Sequence, residues 1–284
     1  MSDAGPPQGA KAPSGGSVLH TVKSRGVLYL VPAPLDFGCA AQTSLQEVLP
    51  QGTLAVAARL SHWITENAKS TRAYLKRVAA LYPGAPSLQS LTVLELPRAA
   101  HKKGDHPSAA GFFDAAPMLA AACVAPPNGD VQDIGLVCEA GMPAIADPGA
   151  SVVRAAHVLG LTVVPLAGPS SLLLALAASG MNGQSFAFVG YLPQDAGQRA
   201  LRIRELEALA LQTGQSQLMI ETPYRNAQLL QALLGNLLPR TRLSVSCGLT
   251  LAGMVTRSAA VAQWGGPAQA ALPLDLPAVF TIGQ

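Results

Sequence analysis

Short apolar runs alternate with segments of helical spacing from residue 27 to residue 180. The runs at 27–31, 62–65, 91–96, 134–138 and 161–166 are four to six residues long and read as strands. Between them, Leu, Ala and Val recur at helical spacing over 45–49, 54–60 and 115–124, through Leu75, Val78 and Leu81, and over 151–159. This strand–helix alternation predicts a mostly parallel sheet with helices on both faces. Past Gly180 the pattern changes. Residues 185–192 alternate as an antiparallel strand would, and 198–211 form a charged amphipathic helix. Runs at 217–220, 242–247, 254–258 and 278–282 predict further strands, with a helix over 227–234. Several of these strands follow one another without a helix, so the second sheet is expected to be mixed and partly antiparallel. The reading is an α/β protein in three parts: a disordered leader (1–25), an N-terminal α/β domain (26–183) and a C-terminal α/β domain (184–284).

The punctuation carries the functional signal. The first strand empties into Pro32-Ala-Pro-Leu-Asp-Phe-Gly38, the fourth into Glu139-Ala-Gly-Met-Pro-Ala-Ile-Ala-Asp-Pro-Gly149, and the fifth into Ala167-Gly-Pro-Ser-Ser171. Loops this rich in Gly, Pro and small side chains let backbone amides and carbonyls approach a ligand. In parallel sheets such loops sit at the carboxyl ends of strands, where ligands bind. A polar loop over 97–111 holds the most basic patch of the chain: Arg98, His101, Lys102, Lys103 and His106. Asp114 is placed to cap the helix after it, and Asp147 either caps the helix after Pro148 or faces the ligand. Ser170 and Ser171 are placed both to cap a helix and to touch a ligand, and Met142 either packs or does the same.

Composition narrows the classes. The 284 residues are 49% hydrophobic and 12% charged, so a sizeable core is available. A net charge of +3 does not by itself imply a nucleic-acid partner, although a local basic patch is compatible with one. The four cysteines are scattered without a C-x-x-C pair, which argues against a metal centre or a disulfide framework. No secretory leader is visible, and the most apolar stretch, 161–181, is broken by Pro165, Gly168 and Pro169. A soluble, cytoplasmic protein with no membrane partner is expected.

Taken in order, six loop motifs carry a resemblance. They are Pro32-Ala-Pro34, Glu66-Asn-Ala-Lys69, 138–149, 164–171, Ala178-Ser-Gly180 and Gly190-Tyr-Leu-Pro193. Together they resemble the tetrapyrrole methylase superfamily of S-adenosylmethionine (SAM)-dependent methyltransferases, nearest the branch of 16S ribosomal RNA cytidine 2′-O-methyltransferases. The likeness covers residues 27–284. Departures fall at charged positions: the branch's E-D-T-R is Glu66-Asn-Ala-Lys69, its E-S-P-H-R is Glu221-Thr-Pro-Tyr-Arg225, and its E-L-T is Gly248-Leu-Thr250.

The resemblance implies a two-domain enzyme, usually a homodimer, that holds SAM in the cleft between its halves. On that reading the cofactor contacts are Pro32, Pro34, Gly38, Glu139, Gly141, Met142, Pro143, Asp147, Gly168, Ser170, Ser171, Thr222 and Pro223. Glu139 and Glu66 are the candidate bases for a hydroxyl acceptor, each following a predicted strand. Lys69, Arg98, Lys102 and Arg225 would suit a phosphate-bearing acceptor, and no metal is needed. Three readings stay open: ribose methylation of ribosomal RNA, methylation of a small tetrapyrrole-like molecule, and a non-catalytic SAM-binding homodimer.

Overall fold

In the computed structural model, residues 25–127 and 129–284 are described. The expected leader therefore lies outside the described residues, apart from Arg25.

Five short strands form a wholly parallel sheet: β1 Val27–Leu30, β2 His62–Thr65, β3 Thr92–Glu95, β4 Ile134–Val137 and β5 Thr162–Pro165. Their order is β3-β2-β4-β1-β5, so the three small-residue loops leave adjacent strands. Leu28 pairs with Ile134 on one side and Val163 on the other, which puts β4, β1 and β5 in step. Helices cover both faces. Leu54, Tyr74, Leu75 and Val78 pack with Trp63 and Val137 on one face. On the other, Leu119, Val152 and Ala156 pack with Leu28, Ile64 and Leu136.

The second sheet has the order β6-β7-β10-β8-β9. Its strands are β6 Phe186–Phe188, β7 Ser216–Glu221, β8 Arg242–Cys247, β9 Val255–Ala260 and β10 Ala278–Gly283. The β7, β10, β8 and β9 pairings are antiparallel, as expected of a mixed sheet. β6 corrects one expectation: it runs parallel to β7. The alternation of residues 185–192 reports one-sided burial of a strand, and that pattern is silent on direction.

Helices Ala196–Thr213 and Asn226–Asn236 bury Ile203, Leu206, Leu229 and Leu233 on one face of this sheet, against Phe280 and Val245. The other face is covered by helix Ser171–Ser179, whose Leu172, Ala175 and Leu176 meet Leu218, Leu249 and Val279. That helix follows β5 in the chain yet packs on the second sheet. Ser258 Oγ donates to Ser179 O at 2.6 Å, and Thr43 Oγ donates to Thr250 O at 2.8 Å, tying the two halves together.

The polar stretch 97–111 also differs from expectation. A short helix, Arg98–Lys103, forms there, anchored by buried Ala100 and carrying His101, Lys102 and Lys103 in its last turn. Among the described residues no helix is long and apolar enough to cross a membrane.

Candidate active site

The loops after β1 and β4 are stitched to each other. Ala33 N donates to Gly141 O at 2.9 Å, and Gly141 N donates to Ala33 O at 3.1 Å. The loop after β5 closes on the first: a Cβ placed on Gly168 would meet Pro32 Cγ at 2.3 Å, so the approach requires glycine. Three loops thus make one continuous wall.

The middle loop is held in a costly conformation. Ala144 and Ala146 have φ of 66° and 65°, between Gly141 at 73° and Gly149 at 135°. A left-handed alanine is disfavoured by roughly 1–2 kcal/mol, and such strain gathers at ligand sites. Outside groups keep it in place. The Asp105 carboxylate accepts from Gly149 N at 2.7 Å, from Ser151 N at 3.1 Å and from the Ser151 hydroxyl. This corrects the expectation that Asp147 caps the helix after Pro148, now Ala150–Val158. The cap comes from Asp105, forty-odd residues upstream, and Asp147 is left facing the cleft. Ser170 takes the N-cap position of helix Ser171–Ser179, but its hydroxyl makes no capping bond. Asp114 does accept from Ala116 N at 2.9 Å.

Opposite this wall stand the ends of β7, β8 and β10. Together they enclose a cavity of about 450 Å3 between the two sheets. Gly38, Gly141, Met142, Asp147, Ser170, Ser171 and Pro223 line it, as anticipated from the sequence. Glu139 and Pro34 line a neighbouring hollow, while Pro32, Pro143, Gly168 and Thr222 line neither. Sequence reasoning missed Tyr191, Asp275 and Val279, which complete the cavity from the second sheet. Tyr191 belongs to a motif already singled out; Asp275 carries no local signal.

Acidic groups converge at the back of the wall. Glu66 Oε2 accepts from Glu139 N at 3.2 Å, and His101 Nδ1 lies 3.6 Å from Glu66 Oε1. Ligand atoms of Glu66, Cys138 and Asp147 lie within 4.8 Å of one another. Burial, reinforced by Glu66 and Glu139, pushes the Asp147 carboxyl up to about 7. Burial and Glu66 also raise Glu139, against hydrogen bonds from Asn67 and Ser70 that favour its charged form. Cys138 is held well above the usual thiol range by burial first and then by Asp147, and its Sγ donates to Pro148 O at 3.2 Å. A protonated thiol is a poor metal ligand.

The candidate phosphate contacts divide. Lys69 lines the neighbouring hollow. Arg98 and Lys102 are exposed on their short helix and reach neither cavity. Arg225 is already engaged, its Nε and Nη2 donating to Glu221 at 2.9 and 3.0 Å, and its guanidinium lies over the Tyr224 ring.

No family model matches the chain. It is 39% identical over 102 residues to Ribosomal RNA small subunit methyltransferase I of Mesorhizobium japonicum, a stretch covering 36% of this chain and 33% of that protein. The protein of the same name from Pseudomonas aeruginosa is 41% identical over 76 residues, 27% of each chain. These matched stretches span about a third of the relatives' lengths. Solved structures cover far more of the chain at lower identity. The uroporphyrin-III-C-methyltransferase from Thermus thermophilus superposes with a TM-score of 0.51 at 18% identity, over 91% of this chain and 94% of that one. The methyltransferase CobJ does so with a TM-score of 0.51 at 14% identity and the same coverage. With its two sheets and the cleft between them, the chain shares the fold of these two solved methyltransferases, and over part of its length it is similar in sequence to the ribosomal RNA small subunit methyltransferases.

Proposed function

We propose that the cleft binds SAM and that the protein transfers its methyl group to a ribose hydroxyl of ribosomal RNA. The observation that carries this reading is the cavity itself: backbone-rich loops of one sheet face strand ends of the other around a volume of about 450 Å3. That size is in the usual range for a small-molecule site. Its lining suits the cofactor. Leu35, Leu172, Leu249 and Val279 offer apolar walls, Gly38 and Gly141 expose backbone, and Asp147, Glu221 and Asp275 supply the negative charge that a sulfonium and an ammonium call for. When bound, SAM supplies a methyl already activated by its sulfonium, so the protein has to orient the acceptor and exclude water.

A hydroxyl acceptor must lose its proton. Asp147, pushed up to about 7, can take it at neutral pH, with Glu139 and Glu66 beside it as the bases expected from the sequence. The relatives named for methylation of small-subunit ribosomal RNA support RNA as the acceptor.

The protein acts as a cytoplasmic homodimer with a domain boundary near Gly183. Exposed Leu174 and Met254, which line one shallow hollow, support the dimer, since exposed apolar side chains brought together mark an interface. Calorimetry with SAM and its demethylated product, followed by methyl transfer to 30S subunits, tests the whole. Absence of SAM binding ends the proposal; SAM binding without transfer to RNA ends its acceptor half.

A further inference from the structure

A second hollow, of about 420 Å3, lies on the far side of the loop that follows β1 and shares Phe37 and Gly38 with the SAM cleft. Polar Gln42, Asn67, Lys69, Tyr74 and Glu139 line it beside apolar Ala33, Pro34 and Ala73. Its frame is rigid. Arg77 donates to both carboxylate oxygens of buried Asp36 at 3.1 Å and also to Thr43 O, clamping the loop to helix Ala68–Leu81. Arg77 is therefore spent on structure.

Three groups in the hollow are not. Tyr74 is 6% exposed, yet among the described residues its hydroxyl has no hydrogen-bond partner, and burial keeps the phenol protonated. A buried hydroxyl left unmatched costs roughly 1–3 kcal/mol, so a polar guest that reaches it from the hollow that Tyr74 lines recovers that cost. Among the described residues Lys69 makes no ion pair. Phe37 is 45% exposed although it is a large apolar ring, and it stands on the border between hollow and cleft. An exposed ring, a buried donor and a free ammonium around one nucleotide-sized space match the needs of a base, a sugar edge and a phosphate.

Resting on the RNA reading above, we infer that this second hollow seats the methyl-accepting nucleotide, flipped out of its strand. Its base stacks on Phe37, the Tyr74 hydroxyl bonds a polar atom of the base or ribose, and Lys69 holds a backbone phosphate. The shared Phe37–Gly38 rim then puts the ribose next to the SAM cleft and to Glu139. Enzymes that work on one nucleotide of a folded RNA gain access to it in this manner.

The test uses the full chain and the variants Lys69→Ala and Tyr74→Phe, since both residues line the second hollow and not the first. Tyr74→Phe keeps the ring and removes only the hydroxyl, so the packing survives. SAM affinity is expected to stay within about twofold of wild type in both. KM for 30S subunits is expected to rise about tenfold for Lys69→Ala, the value of one charge-assisted contact, and about fivefold for Tyr74→Phe. In parallel, the four nucleoside 5′-monophosphates are titrated against SAM-loaded protein by NMR, and the variants should weaken whichever binds. Wild-type kcat and KM for RNA in both variants overturns the assignment. A wild type that binds SAM yet transfers nothing to RNA defeats the acceptor reading, and the mononucleotide titration then decides the hollow alone. Absent binding, or binding unmoved by either substitution, overturns it; weakened binding upholds it.

Discussion

The two sheets meet at one cleft but reach it by opposite means. The parallel sheet has four-residue strands, and its edge strands β3 and β5 have no fully buried residue. What it brings to the ligand is loop: left-handed Ala144 and Ala146, and Gly168 pressed on Pro32. The mixed sheet brings four six-residue strands beside the short β6, with β10 buried along its whole length. It meets the cleft with regular strand ends and with Glu221, which is paired to Arg225. One half spends conformational strain on the site, held by its own Asp105, and the other meets the cleft with the end of the fully buried β10. Substitutions in the two halves should therefore fail in different ways.

The largest effect is expected in the mixed sheet. Phe280→Ala empties the centre of β10, where the ring is fully buried, and should lower unfolding free energy by about 4 kcal/mol in a denaturant titration. Whatever folded protein remains should bind SAM with little change. In the parallel half, Gly168→Ala drives a methyl into Pro32 and should cost about 2 kcal/mol while weakening SAM binding in calorimetry. Equal SAM affinity in that variant would erase the contrast between the halves. Asp105→Ala removes the carboxylate that caps Gly149 and Ser151 and should cost about 1 kcal/mol, read as a lowered denaturant midpoint with a looser cofactor site.

A further test sharpens the comparison through pH. Asp147 is raised in the folded state, so folded protein binds more protons than unfolded protein between pH 3.8 and about 7. Its contribution to stability is complete below 3.8 and is lost as pH rises through about 7. Asp147→Asn should flatten that part of the stability profile. An unchanged slope would remove the carboxyl from its role as the near-neutral group of the cleft.

Much of this was legible in the chain. Val27–Leu30, Ile134–Val137 and Thr162–Pro165 read as strands because a parallel sheet demands continuous apolar runs, and Gly and Pro marked the loops that follow them. The second sheet's mixed character followed from strands succeeding one another without helices. What escaped depends on partners distant in sequence. Residues 97–111 looked like a solvated loop because a six-residue helix leaves no periodic stripe, and only tertiary burial of Ala100 reveals it. Asp147 sat where a local rule puts a cap, and Asp105 took the position from another element. Phe37 and Tyr74 could not be picked out, since a ring left exposed and a hydroxyl left unmatched are facts about neighbours.

The reciprocal bonds between Ala33 and Gly141 have a mechanical consequence. Two segments more than a hundred positions apart are riveted into a single plate, itself backed by the strands that feed it. Such a plate cannot bend at one loop without dragging the other, so it serves as a fixed jaw. Admission and release of a guest then fall to the opposing jaw, carried by the strand ends of the mixed sheet.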